Sequence, residues 1–405
     1  MKYFSMKKIR LIASLLCLIA AFVQATAQQN YTIIVSLDGF RNDYTAMYNT
    51  PFFDSMAQQG VSAVMMPSFP SKTFPNHYTL ATGLVPDHHG IVANSFVDRE
   101  QGKYYSLGDA VARNDASFYG GEPIWITAKR QGVKTATIYW VASDVPLPGG
   151  MPDYWWSYNK TTLLTFEQRI DAAIALLKKP EQERPHLIML YFEQPDEVGH
   201  HCSPYSKETR NVIEQLDSLI HLLNVRISVL PIASKVNLIV TSDHGMAPIS
   251  PDRTVAVNKY LKPEWIEKVD GDLPGQIYCR PGCADKVVEA LSKVPHLRAW
   301  KREHIPPYLC YGTNPRIGDV VALPDAGWLF TDKVDFSPGG AHGFDPTVSD
   351  MHVMFRAIGP DFRHGYAKAE KFANTCIYPL LAHLLGITPA PCDGSLNLVD
   401  DLLAK

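Results

Sequence analysis

The sequence predicts an α/β fold with a mostly parallel central sheet and helices on both faces of that sheet. Three short apolar runs carry this prediction, namely Thr32 to Leu37, His186 to Phe192 and Val236 to Thr241. Near-continuous apolar runs of this length are typical of strands buried on both faces of a parallel sheet. Helical patterns lie between and after them, including Phe166 to Leu177 and Glu208 to Val225. Such alternation of strands and helices indicates an α/β domain.

The first residues have the pattern of a targeting segment. An apolar stretch from Leu11 to Val23 follows four basic residues, and Ala25-Thr26-Ala27 fits a small-residue cleavage site. The stretch is shorter than the ~20 apolar residues that span a bilayer. We therefore expect a signal peptide over residues 1–27 and a mature chain over residues 28–405. The protein would then be exported, either secreted or periplasmic, and would have no membrane span.

The mature chain is acidic. Removal of residues 1–27 leaves 34 basic and 41 acidic residues, which is a formal charge of −7. This balance argues against a nucleic-acid polymer as a specific partner, because surfaces that bind such polymers are basic. It does not argue against small anionic substrates, because bound divalent cations would reverse the local charge.

An even number of cysteines remains in the mature chain, and in an exported protein this predicts disulfides. The pairing stays open, since six cysteines allow 15 connectivities. Cys279 and Cys283, with Pro-Gly between them, are a candidate local pair. The six residues are Cys202, Cys279, Cys283, Cys310, Cys376 and Cys392.

The composition and the predicted elements of the chain change between about residues 254 and 338. Prolines and glycines are frequent there, and a short strand is predicted over Asp319 to Leu323. A strand over Asp350 to Ile358 and a helix over Thr375 to Leu385 then return to the earlier pattern. We expect one catalytic domain over residues 28–405 with a smaller inserted lid at about 254–338.

Six candidate metal ligands follow predicted strands or open the next loops. Ligands collect at the carboxyl ends of strands in parallel sheets, so these distant residues should converge at one edge. Carboxylates and imidazoles are the ligands of hydrolytic zinc sites, with three protein ligands and one open position per ion. After the second strand we expect a turn in which Gly199 lets the backbone approach an ion. The candidates are Asp38, Asp196, His200, Asp243, His244 and His342.

Thr73 is a candidate nucleophile in the segment SFPSKTFPNHYTLATG. A proline two residues later and Gly83 predict the start and the stop of a helix. A hydroxyl at the positive end of a helix suits a phosphoryl group, although a threonine there is often only an N-cap. The nearby histidines, including His77, are interpreted as local hydrogen-bonding residues, and His201 as a neighbour of the ligand His200.

These motifs together resemble a known family. SLDGFR, SFPSKTFPNHYTLATG, HGIVANSF, PDEVGHH, TSDHGM and GAHGFDP are similar, in this order, to the nucleotide pyrophosphatase/phosphodiesterase family of the alkaline phosphatase superfamily. The resemblance runs from Tyr31 to Asn397. It implies an alkaline-phosphatase-like fold and two Zn²⁺ ions per chain. It also implies cleavage of phosphodiester or pyrophosphate bonds of nucleotides through a threonyl-phosphate ester, with release of a nucleoside monophosphate.

The resemblance also implies a role for each matching residue. One zinc ion would activate the nucleophile and the other would stabilise the leaving oxygen, since two cations about 4 Å apart can do both. The first ion would be held by Asp38, Thr73, Asp243 and His244. The second ion would be held by Asp196, His200 and His342. Asn94 would donate to a phosphate oxygen, and Lys72 matches a lysine that often precedes the nucleophile.

An aromatic segment from Met151 to Tyr158 bears on the substrate. Nucleotide-cleaving relatives stack a base on aromatics of this region, and Tyr158 matches that position with Trp140 as a neighbour. Phe74 belongs to the same expected substrate-binding set. Relatives specialised for lysophospholipids lack part of the segment, so its presence favours nucleotides. The alternative is that these aromatics fill a core. Stacking tolerates every base, so no base preference is predicted.

Other activities use the same kind of site. A phosphate monoesterase of the alkaline-phosphatase type would add cationic side chains around the phosphoryl group, and a phospholipid or choline-phosphodiester hydrolase would need a lipid pocket. Neither a G-x-S-x-G elbow nor a G-x-x-x-x-G-K-[ST] loop occurs in the sequence. Manganese or iron in place of zinc also stays open.

Overall fold

A computed structural model describes residues 30–159, 161–271 and 273–404. The expected signal peptide and its cleavage site therefore lie outside the described residues. Within the described ranges, the helices are all too short or too polar to cross a membrane.

The strands are short, as in most globular domains. In chain order they are β1 (Tyr31–Leu37), β2 (Val61–Met66), β3 (Ser95–Asp98), β4 (Lys103–Ser106), β5 (Thr135–Ile138), β6 (Tyr154–Trp156), β7 (Leu187–Phe192), β8 (Val236–Thr241), β9 (Ala247–Ile249), β10 (Thr254–Val255), β11 (Ile266–Asp270), β12 (Gly275–Cys279), β13 (Leu297–Lys301), β14 (Val320–Pro324), β15 (Leu329–Phe330), β16 (Gly339–Ala341), β17 (Val353–Ile358), β18 (Tyr366–Ala367) and β19 (Phe372–Ala373).

The helices range from single turns to six turns. They are α1 (Tyr44–Met47), α2 (Pro51–Gln59), α3 (Thr73–Thr82), α4 (Pro86–His89), α5 (Ala110–Arg113), α6 (Ile124–Arg130), α7 (Phe166–Leu177), α8 (Asp196–Cys202), α9 (Lys207–Ser228), α10 (Val257–Tyr260), α11 (Ala284–Leu291) and α12 (Ile377–Leu384).

The central sheet has nine strands among the described residues. Their order is β18-β2-β17-β8-β1-β7-β5-β6, and β19 also pairs with β2. β1 lies parallel to β7 and β8, whereas β17 runs antiparallel to both β2 and β8. The prediction of a mostly parallel sheet is confirmed, with the qualification that the sheet is mixed because β17 runs against its two neighbours.

Helices cover both faces of this sheet, as the sequence predicts. Ile33 and Val35 of β1 pack on one face in a cluster with α2, α7 and α9, and Ile34 packs on the other face with α3, α6 and α12. Successive side chains of a strand point to opposite faces, so a strand buried on both sides must be apolar throughout. Burial of one such aliphatic side chain contributes about 1.5–3 kcal/mol. The strands that present the site are therefore anchored in the apolar core on both faces.

The predicted element boundaries hold closely in the core. β8 and α7 have the predicted bounds, and β1 and β7 differ from the predictions by one residue. The strand predicted from Asp350 begins at Val353, because Ser349–Met351 forms a 3-10 turn. Similarly, the 3-10 turn Asn374–Cys376 precedes the last helix.

A second, antiparallel sheet lies within residues 254–338, here called the small-sheet segment. Its strand order is β11-β12-β14-β13, and α11 packs on it. The sheet has its own apolar cluster, which includes Ile277, Val287 and Val320. That this segment is an insertion with the function of a lid stays a prediction.

The six cysteines of the described chain are free thiols. In the expected pair, Cys279 ends β12 and Cys283 occupies the N-cap of α11. The Cys279 sulfur lies 3.9 Å from the carbonyl of Ile277, and burial raises the pKa of this thiol to about 12. The disulfide expected between Cys279 and Cys283 is not formed in the structure.

Candidate active site

The candidate ligands converge at the carboxyl edge of the central sheet. Asp38 directly follows β1, and its carbonyl accepts a hydrogen bond of 2.9 Å from the Asp196 amide beyond β7. The backbone is tight here, because a Cβ on Gly39 would lie 3.0 Å from the Cα of Asp196. The Gly39 amide donates to Asp243 Oδ1 at 3.2 Å. Three strand ends therefore bring their carboxylates together, as predicted.

Asp38, Asp243 and His244 form what we call the first metal group. His244 Nε2 lies 3.0 Å from Asp243 Oδ2 and 3.4 Å from Asp38 Oδ1. All three side chains are buried. Thr73 Oγ1 lies 3.1 Å from the same His244 nitrogen. The predicted nucleophile thus adjoins the predicted ligands.

Asp196, His200 and His342 form the second metal group. His200 Nε2 and His342 Nε2 lie 3.4 and 3.5 Å from Asp196 Oδ1. The rings of His342 and His244 stack with 3.5 Å between their centroids, so the two groups are adjacent.

The turn predicted after β7 is wrong. The helix α8 begins at Asp196 itself, and a spacing of four residues puts Asp196 and His200 on one helix face. Gly199 packs against Met246, whose Cε would lie 3.3 Å from a Cβ at that position. Helix geometry, and not an approach of the backbone to the ion, brings the two ligands together.

The carboxylate oxygens that face these histidines are the atoms that would coordinate a metal ion. Asp38 Oδ1, Asp196 Oδ1 and Asp243 Oδ2 are buried and have no hydrogen-bond partner in the described part of the chain. A buried carboxylate oxygen without a donor is costly. Each of these three atoms lies within 3.5 Å of a histidine Nε2. This arrangement fits one divalent cation in each group.

Backbone carbonyls set the tautomer of all three histidines. Because a carbonyl only accepts, the ring nitrogen beside it carries the proton and Nε2 keeps its lone pair for a metal. The contacts of Nδ1 are His200 with Gly340 O at 2.7 Å, His244 with Gly245 O at 2.9 Å, and His342 with Ser71 O at 2.9 Å.

The electrostatics of the site also favour a cation. Burial and the nearby charges of Asp243 and Asp196 raise the pKa of Asp38 well above its ordinary value. Burial and the neighbours His244 and Lys72 lower the pKa of His342, so its imidazole is neutral. Crowded carboxylates beside a neutral imidazole are typical of a divalent metal site.

Thr73 is the first residue of α3, and Lys72 occupies the N-cap position without a side-chain cap. Thr73 is therefore not the N-cap residue of this helix. Asn94 is held next to Thr73, because its Oδ1 accepts a hydrogen bond of 3.1 Å from the amide of the following residue, Phe74. This contact orients the Asn94 amide so that its NH₂ group remains for a ligand.

A cavity of about 380 Å³ adjoins both groups. Thr73, Asn94, His200 and His342 line it together with the expected aromatic residues Phe74, Trp140 and Tyr158. Tyr158 is 42% exposed, whereas Trp140 is 2% exposed and donates from Nε1 to His77 O at 3.2 Å. Tyr158 therefore has a free surface for a ligand, and Trp140 is mainly a packing residue.

Lys72 is not among the residues that line this cavity. Its side chain lies near the loop of His342, with Cε 2.6 Å from the position of a Cβ on Gly343. After burial and the neighbouring His244, its charge is a further cause that lowers the pKa of His342. Lys72 thus lies near the second metal group.

Comparison with known proteins identifies the family. The chain matches the family model described as type I phosphodiesterase/nucleotide pyrophosphatase over residues 32–345. It is 37% identical over 379 residues to human ectonucleotide pyrophosphatase/phosphodiesterase family member 5, covering 93% of this chain and 78% of that protein. The chain belongs to the type I phosphodiesterase/nucleotide pyrophosphatase family. It is therefore a phosphodiesterase hydrolase of the alkaline phosphatase superfamily.

Other members of the family are also similar. Human family member 1 is 34% identical over 389 residues, but the match spans 42% of that protein and 92% of this chain. A murine ectonucleotide pyrophosphatase/phosphodiesterase 5, solved as an inactive threonine-to-alanine variant in complex with AMP, superposes with a TM-score of 0.87 at 36% identity. The match covers 93% of this chain and 100% of that chain. The family is metal-dependent, and nucleotide substrates fit it.

Two contacts of this phosphodiesterase were missed by the sequence analysis. The Tyr191 hydroxyl donates to Asp38 Oδ2 at 2.7 Å, which leaves Asp38 Oδ1 for a metal. His77 Nδ1 lies 3.3 Å from Asp243 Oδ2 in addition to its local contact with Thr73 O. The spacing of four residues between Thr73 and His77 predicts only the local contact of His77, and the sequence carries no signal for the contacts with Asp38 and Asp243.

Proposed function

We propose that this chain is an exported two-zinc hydrolase that cleaves phosphodiester or pyrophosphate bonds of nucleotides and releases a nucleoside monophosphate. The observation that carries the proposal is the 3.1 Å contact between Thr73 Oγ1 and His244 Nε2, at the wall of a cavity bordered by both metal groups. A hydroxyl beside a metal ligand and at a helix start is suited to attack a phosphoryl group.

The proposed reaction has two steps at phosphorus. Thr73 Oγ1 forms a bond to phosphorus while the bond to the leaving oxygen breaks, and the proton of the hydroxyl passes to solvent water. Water then cleaves the threonyl-phosphate ester, which restores the hydroxyl and releases the nucleoside monophosphate. Asn94 and the Thr73 amide donate to a non-bridging oxygen of the phosphoryl group, as donors preorganised for developing charge. The amide of Thr73 is suited to this, since the first amides of a helix have no partner within it.

The first metal group with Thr73 would hold one zinc ion, and the second metal group would hold the other. When bound, the two ions would lower the pKa of the Thr73 hydroxyl and stabilise charge on the attacking and leaving oxygens. Mixed carboxylate and imidazole sets are typical of zinc. The Tyr191 hydroxyl holds Asp38 through Oδ2 and the Gly39 amide holds Asp243 through Oδ1, and such contacts behind the ligands fix their orientation.

The cavity supports nucleotides as the substrate class. Its half-exposed Tyr158 and the neighbouring Phe74 offer faces on which a base can stack. The lining also includes the polar residues Arg113, Asp144 and Asn159, beside the apolar residues Leu107, Val141 and Ala142. A few polar groups in an aromatic cavity suit the edge of a base.

Replacement of the nucleophile tests the proposal. Thr73→Ala should abolish turnover of p-nitrophenyl thymidine monophosphate while both metal ions remain bound, because carboxylates and imidazoles supply most of the coordination. Thr82→Ala is the matched control, since Thr82 lies at the other end of α3, where its hydroxyl donates to the Tyr78 carbonyl and accepts from the Leu84 amide. Activity of Thr73→Ala within tenfold of the wild type would remove Thr73 as the nucleophile.

The same assay separates the alternative substrates. Wild-type protein should turn over the thymidine diester faster than p-nitrophenyl phosphate or p-nitrophenylphosphorylcholine. A preference for the monoester would favour the phosphatase alternative, and a preference for the choline diester would favour the lipid alternative. Export is tested separately by N-terminal sequencing, which should find Gln28 at the start of the mature chain.

A further inference from the structure

Asp345 lies three residues after His342, where the chain returns from the small-sheet segment. Its side chain is 5% exposed, yet both of its oxygens have donors. Oδ2 accepts from the Tyr308 hydroxyl at 2.7 Å and from Arg298 Nη1 at 3.1 Å, and Oδ1 accepts from the Thr347 hydroxyl at 2.7 Å. Tyr308 and Arg298 belong to the small-sheet segment. Asp345 therefore connects that segment to the loop that carries His342.

This connection is ionic. Burial opposes ionisation of Asp345, but the hydrogen bonds from Tyr308, Thr347 and Arg298 bring its pKa below the ordinary value. The carboxylate is thus charged at neutral pH. Hydrogen bonds to an ionised carboxylate are roughly twice as strong as neutral ones, so this contact can fix the position of a loop.

The loop that Asp345 ends is itself closely packed. Gly343 has a φ of +118°, and a Cβ there would lie 2.3 Å from the carbonyl of Leu273, in the turn between β11 and β12. Phe344 packs in an apolar cluster with Leu273 and Leu329 of the small-sheet segment. The small-sheet segment therefore contacts this loop through both apolar and ionic groups.

The other side of the loop contacts the catalytic segment. The Ser71 hydroxyl donates to Phe344 O at 2.7 Å, and the Ser71 carbonyl accepts from His342 Nδ1 at 2.9 Å. Ser71 precedes Thr73 by two residues. A shift of the loop would therefore move His342 and disturb the segment that carries the nucleophile.

We propose that Asp345 is a positioning residue for the second metal group. By accepting hydrogen bonds from Tyr308 and Arg298, it holds the loop so that His342 Nε2 faces Asp196 Oδ1. The small-sheet segment then acts as a fixed support of the site. This inference rests on the proposed two-metal function and adds a role for residues that contact neither substrate nor metal.

Zinc affinity tests the inference directly. Competition with a chelator of known affinity would be used to titrate the two ions in the wild type, in Tyr308→Phe and in Asp345→Asn. Loss of an orienting contact behind a ligand typically weakens metal binding by 10–100-fold, so we expect about tenfold for Tyr308→Phe and up to about 100-fold for Asp345→Asn. The loss should affect one ion only. Excess zinc should restore kcat, and the KM for a nucleotide diester should stay unchanged.

Tyr104→Phe is the matched control. Tyr104 is exposed to a similar extent as Tyr308, and its hydroxyl donates to Asp270 Oδ1 at 3.2 Å. This contact also joins the small-sheet segment to the rest of the domain, but it involves the β3–β4 hairpin and not the loop of His342. Its removal should leave both zinc affinities unchanged.

Several results would overturn the inference. Unchanged affinity for both ions with a lowered melting temperature would make Asp345 merely structural. Equal weakening of both ions, or equal weakening in Tyr104→Phe, would indicate a general loss of stability. Wild-type protein that binds fewer than two ions would contradict the proposed function itself, whereas two ions with unaltered variants would contradict only the role of Asp345. Tyr308→Phe removes one hydroxyl from a half-exposed residue, so the test does not depend on the folding of Asp345→Asn.

Discussion

The two metal groups differ in how the fold builds them. The first group is anchored to ends of the central β1 and β8 strands, and its side chains are no more than 2% exposed. The second group comes from α8 and from the loop after β16, and the His200 side chain is 38% exposed. A ligand on a buried strand end has little freedom, whereas a helix and a loop must be held by their neighbours. The first group is therefore preorganised by the sheet, and the second depends on packing.

The largest expected effect follows from the first group. Asp243→Asn should remove the ion that adjoins Thr73 and lower kcat/KM by on the order of 10⁴-fold or more, as for other residues of a nucleophilic unit. Elemental analysis should find no more than one ion per chain. Loss of activity with both ions retained would contradict the assignment of Asp243 as a ligand.

The second group should give a smaller loss. Asp196→Asn and His342→Ala should each leave about one ion per chain and lower activity by about 10²–10³-fold, similar to the loss of one donor for transition-state charge. Because both residues serve the same ion, the double variant should be no worse than either single variant. Multiplicative losses, or two ions in either single variant, would show that this grouping is wrong.

The smallest expected effect concerns the base. Tyr158→Ala should raise the KM for nucleotide diesters by the ~1–3 kcal/mol that stacking contributes, and should leave bis-p-nitrophenyl phosphate unaffected. Trp155→Ala is the matched control, because Trp155 is similarly exposed and is not among the cavity-lining residues. Equal losses on both substrates with a lowered melting temperature would instead make Tyr158 a packing residue.

The contrast between the two groups also explains what could be read from the sequence. The apolar runs of β1 and β8 show where each strand ends, so Asp38 and Asp243 could be placed at the sheet edge from the pattern alone. The helix α8 could not be predicted in this way. Gly199 disfavours a helix locally, and packing of α8 against β16 overrides that preference.

The sequence also does not predict contacts between distant segments of the chain. Asp243 and His77 lie more than 160 residues apart, so no local pattern relates them. Likewise, the burial of Trp140 and the separation of Lys72 from the cavity follow from the packing of several segments. Residue types and strand ends thus predicted the ligands, whereas the residues that orient the ligands required the tertiary structure.

Two adjacent groups that each hold a zinc ion, the first of them beside Thr73, can be located by anomalous scattering. Data would be recorded from a crystal of the zinc-loaded protein on both sides of the zinc absorption edge. We expect two zinc peaks per chain, one among Asp38, Asp243 and His244 next to Thr73 Oγ1, and one among Asp196, His200 and His342. A single peak, or a peak bound by residues outside these two groups, would contradict this expectation.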